Sequence, residues 1–207
     1  MDNKLYFLFM ALLLLVVTTN TYAWVLTITP GPKEIYIQVG NGTYTGGNYN
    51  AGGQPATNTT INIVSLSISA ASLGNGTSQM MTSNSTFANS FYDGYAVCNP
   101  PNQVYVGGWA RVVGNTGNAL LTVSTPTNLV NASGDALPFS TISWTSTANG
   151  NTKADIAAGT FNGGSVALAN IAANTWVENC LTFSYANTSV PAEGTYTGRA
   201  TYTLSLP

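Results

Sequence analysis

Histidine is absent from this chain, and charge of either sign is scarce: Lys and Arg number five, Asp and Glu seven, for a net charge of −2 over 207 residues. Proton-transfer catalysis needs groups that titrate near working pH, and histidine is the usual one. A serine nucleophile would therefore lack its base. There is no Gly-x-Ser-x-Gly elbow, and neither Lys33 nor Lys153 sits in a Ser-x-x-Lys motif. Two cysteines without histidine fall short of a zinc set. Asn149, Asn151 and Asp155 outline part of a calcium loop, but Lys153 stands where a ligand is wanted and no bidentate glutamate follows at the right distance. Beyond residue 23 the basic residues are Lys33, Arg111, Lys153 and Arg199, too few for a nucleic-acid footprint. The chain is read as no enzyme, with no metal, no cofactor and no nucleic-acid partner. So few titrating groups also leave little stability to proton linkage between about pH 3 and 8.

Helical patterning is missing as well. No segment sustains apolar spacing at i, i+3, i+4 and i+7 with caps. The Ala-rich stretches 154–158 and 167–173 offer a short helical turn at most. Long apolar runs are limited to the start. Lys4 precedes an apolar stretch from Leu5 to Val17, and Thr21-Tyr22-Ala23 supplies small residues at two spaced positions. This is the layout of a secretory signal peptide over residues 1–23, cleaved after Ala23. The run is shorter than the roughly 20 residues that span a bilayer. The expectation is an extracellular or cell-surface protein beginning at Trp24, with no membrane segment after cleavage.

Cys98 and Cys180 suit an exported chain, where disulfides form and persist. An intramolecular bridge would close a loop of about 80 residues and stabilise by roughly 4 kcal/mol. Two free buried thiols or an intermolecular bridge are the alternatives. Asn-x-Ser/Thr sequons stand at Asn41, Asn58, Asn75, Asn84, Asn131 and Asn187. Each lies beside turn-forming residues, so each is expected on the surface as a glycosylation candidate.

What the chain has in quantity is Thr, Asn, Ser, Gly and β-favouring apolar residues. Residues 24–207 make one domain by length. Period-two alternation recurs at 25–29, 35–39, 61–69, 120–124 and 139–145. Residues 104–113 also read as a strand, where Gly107-Gly108 suggests a bulge. Trp176, Glu178, Cys180, Thr182 and Ser184 share one face of a ten-residue strand. Tyr196, Ala200, Tyr202, Leu204 and Leu206 share one face of the last. Gly, Asn and Pro clusters separate the runs. The fold expected is all-β: a single antiparallel β-sandwich, immunoglobulin-like or pilin-like, with about 7–10 strands. A small barrel is the runner-up.

Paired carboxylates for glycoside hydrolysis would have to come from Glu34, Asp93, Asp135, Asp155, Glu178 and Glu193. Asp93-Gly94 and Gly134-Asp135 read as turns. Glu178 stands out beside Trp176 and near Cys180, but a solvated strand face is the simpler reading. The aromatics Trp24, Tyr36, Tyr44, Tyr49, Phe91, Tyr92, Tyr95, Tyr105, Trp109, Trp144, Trp176 and Tyr185 offer material for a sugar-binding surface. Most read more simply as core or sheet-face residues. The run 89–95, NSFYDGY, is the best candidate for an exposed loop with contact aromatics.

The C-terminal run 194–207, GTYTGRATYTLSLP, is similar to the final strand of fimbrial subunits and spore-coat-U-like proteins, where a Gly-Thr-Tyr turn leads into a Thr-rich strand. The runs 138–144, PFSTISW, and 181–185, LTFSY, resemble uncharacterised secreted proteins of proteobacteria. Together they cover about a quarter of the chain. The resemblance implies a pilin-like sandwich whose subunits are joined by donor strands, an extension of one filling a gap in the sheet of the next. The candidate donor is 24–39, led by Trp24, Leu26 and Ile28. An ordinary first strand is the alternative reading of the same residues. Two features depart from chaperone–usher pilins, which place both cysteines early and carry a near-terminal tyrosine. Secreted archaeal filaments with glycosylated Thr- and Asn-rich subunits share the composition. The function expected is a structural subunit of an extracellular filament, pilus or surface coat, with copies of itself as partner. An assembly chaperone and surface glycans are the further candidate partners. The alternative is a monomeric secreted carbohydrate-binding or adhesion module.

Overall fold

The computed structural model describes residues 33–56, 60–112, 117–148 and 154–206. The signal-peptide segment, the donor residues Trp24, Leu26 and Ile28, and the sequon at Asn58 lie outside them.

Among the described residues, seven strands of five residues or more carry the fold: β1 (Glu34–Val39), β2 (Val104–Arg111), β3 (Asn118–Ser124), β4 (Ile142–Ala148), β5 (Ser165–Ala172), β6 (Trp176–Tyr185) and β7 (Thr201–Ser205). They form two antiparallel sheets. The larger runs β1-β2-β6-β4, extended past β4 by Gly159–Thr160, with Gln79–Met80 added along β6. The smaller runs β5-β3-β7. Alternation dictates how they meet. The inward residues Val104, Val106 and Ala110 of β2 and Val177, Leu181 and Phe183 of β6 pack against Ala119, Leu121 and Val123 of β3, Ile171 of β5 and Leu204 of β7. Burying each larger apolar side chain stabilises by about 1.5–3 kcal/mol. The all-β antiparallel sandwich expected from the patterning is what this chain forms.

Local departures have physical causes. The segment 61–69 keeps period-two spacing, yet only Val64–Ser65 pairs, with Thr82–Ser83, and Ile61 and Ile63 are 61% and 59% exposed. Residues 139–141 form a 3₁₀ turn before β4 begins. Alanines 167, 169 and 172 belong to strand β5, not to a helical turn, because β5 lies against β3 and tertiary pairing overrides the weak helical preference of Ala. No bulge occurs at Gly107-Gly108, where the ladders to β1 and β6 run in register; the register shift falls between Ala167 and Ala169. In the final run the ladder is confined to Thr201–Ser205, with Thr197 making an isolated bridge to Val130.

The larger sheet is covered on its other face too. Phe91, Cys98, Tyr105 and Cys180 form a second buried cluster, joined by Tyr44, Phe87, Val97 and Trp176. The cover comes from the loops 41–56 and 85–99. A disulfide links Cys98 of the second loop to Cys180 of β6.

Candidate aromatic cleft

Register builds the site across the outer face of the larger sheet. Tyr36 of β1 lies opposite Trp109 of β2, which lies opposite Trp176 of β6. One step along, Gln38, Gly107 and Glu178 form the next rung. Gly107 is needed here, because a Cβ at that position would collide with the phenol of Tyr105. The missing side chain lets the Tyr105 ring lie along its own strand and carry its hydroxyl to Glu178.

Glu178 is 8% exposed, so the solvated strand face expected for it is corrected. Its Oε2 accepts from the Tyr105 hydroxyl at 2.8 Å, the Ser90 hydroxyl at 2.9 Å and Trp176 Nε1 at 3.1 Å. Two of the donors come from the sheet and one from the covering loop. Burial, followed by the neighbouring Glu178 carboxylate, pushes the Tyr105 phenol well above its ordinary range. Three donors converge on this one oxygen, so Oε2 is fully engaged within the protein. Glu178 is therefore a hub that fixes ring positions.

Ser90 extends the hub into the loop. Its Oγ also accepts from the backbone N–H groups of Tyr92 and Asp93. Gly94, at φ +83°, and an Asp93 Oδ1 bond from the Tyr95 N–H close the turn expected there. The opposite wall is a 3₁₀ turn, Tyr49–Ala51, capped by the Asn48 side chain. Its Tyr49 and Asn50 N–H groups donate to the carbonyls of Phe91 and Tyr92, so the two loops are stitched together.

The result is a cleft of about 620 Å³ lined by Tyr49, Tyr92, Asp93, Trp109, Arg111, Asp155, Asn174, Thr175, Trp176 and Glu178. Tyr49 lies 5.2 Å from Trp109, 5.3 Å from Trp176 and 6.1 Å from Tyr92, centroid to centroid. The Arg111 guanidinium sits 5.6 Å from the centre of the Trp109 ring and is ion-paired with Glu34. Trp109 is 6% exposed, so the apolar contact area comes from Tyr49, Tyr92 and Trp176, and the Asp93 and Asp155 carboxylates, the Asn174 amide and the Thr175 hydroxyl beside them offer hydrogen bonds.

Other sequence-selected residues fall elsewhere. Within 89–95, Phe91 is core, Tyr92 lines the cleft and Tyr95 is 77% exposed without lining it. Trp144 packs between the sheets and donates to the Ala157 carbonyl. Among the described residues no three His, Cys, Asp or Glu side chains gather as metal ligands. Of the sequons, Asn75 and Asn84 are exposed and Asn41 is half-buried. The surface placement expected of Asn131 and Asn187 is corrected: both are buried, and their amide groups are used internally. Asn131 Nδ2 donates to Asp135 Oδ2, and Asn187 Nδ2 to the Ser72 carbonyl and Asn75 Oδ1. Arg111, Ser90 and the convergence of Tyr49 with two tryptophans were not apparent in the sequence, because the contacts join segments far apart in the chain. Comparison with protein-family models, curated proteins and solved structures finds no match.

Proposed function

We propose that the chain is a carbohydrate-binding module that seats a sugar in the aromatic cleft. The observation behind this reading is the gathering of Tyr49, Tyr92, Trp109 and Trp176 around one cleft with polar groups at its edge. The C–H face of a pyranose stacks on such rings, and its hydroxyls bond to carboxylate and amide groups. Rings held by a buried hub and by stitched loops lose little freedom on binding, which favours affinity. The disulfide is compatible with a secreted protein. Tryptophan fluorescence titration after a glycan-array screen tests the reading. A glycan should quench emission saturably, and Trp176→Ala should weaken its binding by about tenfold or more, in line with loss of a contact aromatic. Absence of binding to any glycan on a broad array would remove this function.

A second reading is assembly into an extracellular filament or coat by strand addition, as the resemblance to fimbrial subunits implies. It is favoured by β1, whose ladder partner among the described residues is β2 alone and on which Ile35 is half exposed. Electron microscopy and unboiled gel electrophoresis of protein starting at Trp24 test it. Filaments that disappear on deletion of residues 24–29 support the reading, and a monomer at high concentration sinks it.

A further inference from the structure

We infer that Asn162 is a spontaneous modification site, converted through its neighbour Gly163 to aspartate and isoaspartate while the protein stays folded. Asn-Gly pairs are prone to this reaction, because glycine carries no Cβ to shield its own backbone nitrogen. Three such pairs fall among the described residues, Asn41-Gly42, Asn75-Gly76 and Asn162-Gly163, and Asn149-Gly150 lies outside them. The fold treats the three differently. Asn41 Oδ1 accepts from the Thr86 N–H at 2.9 Å and from the Ser85 hydroxyl at 3.3 Å. Asn75 Oδ1 accepts from the Thr77 N–H at 2.8 Å and from Asn187 Nδ2 at 2.9 Å. The Gly76 N–H, the attacking group of that pair, is itself held by the Asn187 carbonyl. Asn162 is exposed, and among the described residues neither its amide nor the Gly163 N–H has a hydrogen-bond partner.

The turn also dictates the glycine. Gly163 holds φ +70°, and a Cβ on it would come within 2.8 Å of Thr127 Cα, so a side chain that would slow the reaction is excluded. The Gly163 nitrogen attacks Asn162 Cγ and forms a new C–N bond. The bond to the side-chain amide breaks, and that group leaves with the displaced proton as ammonia. Water opens the resulting succinimide at either carbonyl, which yields aspartate or isoaspartate. Isoaspartate routes the main chain through the side-chain carbon and so lengthens it. The turn carries the chain from Gly159–Thr160 of the larger sheet to β5 of the smaller. It is fastened at both ends: the Phe161 N–H donates to the Ile142 carbonyl, and the Thr125 N–H donates to the Gly164 carbonyl. Phe161 is buried in the core between the sheets, so the added length displaces Gly164 from Thr125.

The test is incubation of the folded protein at pH 8 and 37 °C, read by peptide mass spectrometry, with isoaspartate counted by enzymatic methylation. Asn162 should convert about tenfold faster than Asn41 or Asn75, whose hydrogen bonds must break first. In urea only the shared Asn-Gly sequence remains, and the three rates should converge. Protein carrying isoaspartate should melt about 2–4 °C lower, the shift expected for one lost hydrogen bond in a chain of this size. Freshly purified Asn162→Asp adds the charge without the extra length and should melt as the parent does. Asn162→Gln should show no conversion at that position. Folded-state rates that do not favour Asn162 would overturn the site. A preference for Asn162 that persists in urea would overturn its origin in the fold. A midpoint unmoved by isoaspartate would overturn the effect assigned to the crossing between the sheets.

Discussion

Glu178 and Gly107 face each other across β2 and β6, and each has a role set by what the other strand supplies. Replacing Glu178 by Ala would leave the buried Tyr105 hydroxyl and Ser90 Oγ without their acceptor. Each stranded group costs about 1–3 kcal/mol, so Glu178→Ala should lower unfolding free energy by roughly 2–4 kcal/mol in urea denaturation. A loss under 1 kcal/mol would mean that water replaces the carboxylate. Gly107→Ala pushes a methyl group into the Tyr105 phenol and should cost about 1–3 kcal/mol as overpacking. The sequence placed Glu178 on the Trp176 face by alternation alone. It could not disclose the burial, because Ser90 and Tyr105 reach Glu178 from 88 and 73 residues away. The same limit applies to the sequons. Asn187 adopts a left-handed φ of 53°, and its side chain accepts from the Gly74 N–H and donates to the Ser72 carbonyl, 113 and 115 residues away in the chain, a use of Asn that the tripeptide motif does not distinguish from a surface acceptor. Expression in a glycosylating host should give occupancy at Asn75 or Asn84 and none at Asn131 or Asn187 in the folded protein, as read by peptide mass spectrometry. A glycan on Asn187 of soluble, folded protein would contradict its burial.

At the scale of elements, the loop 85–99 is the piece on which the cleft depends. It carries Ser90, Tyr92 and Asp93, and it is pinned at Cys98 to β6 two residues from Glu178. Cys98→Ser with Cys180→Ser should lower stability by about 4 kcal/mol, given the 82-residue separation. Ligand affinity should fall as well, since Tyr92 loses its anchor. Full affinity in the double variant at a temperature where it is folded would show that the hydrogen bonds from Ser90 position the loop unaided. The long strands were legible: the sequence reading of β6 spans the observed strand, and the faces read along β7 match its alternation of exposure. The segment 61–69 was not. Its period-two spacing is real, but spacing reports only which residues share a side, and among the described residues it pairs only through Val64–Ser65 with the short strand Thr82–Ser83.

For the molecule as a whole, the same scarcity of charge that quiets the acid side leaves tyrosine to dominate the alkaline side. Tyr105 and Tyr36 are held above the ordinary phenol value of 10.0 in the folded state, chiefly by burial. The unfolded chain ionises them near pH 10 and the folded chain does not. Their contribution is complete below pH 10 and is lost as pH rises beyond it, with a slope of about 1.4 kcal/mol per pH unit for a buried group such as Tyr105. Denaturation midpoints should hold from pH 7 to 9 and fall between pH 10 and 12, and Tyr105→Phe should flatten that fall. A midpoint that does not move up to pH 12 would count against it. Fold class was readable at this scale because alternation, turn residues and missing helical periodicity agree with one another. The cleft was not, because it exists only where two loops and a sheet face coincide.

That coincidence makes β2 and β6 a party wall between two interiors. β3, with one face open, alternates between exposed and buried positions along its length, whereas seven of the eight residues of β2 are buried. A saturation scan should therefore record a sawtooth of tolerance along β3 and a flat floor along β2, broken only at Arg111. Any drift that reshapes the ligand site must pass through residues whose backs hold the sandwich together, so new specificities should arise in the covering loops, whose sequences can change without moving the wall.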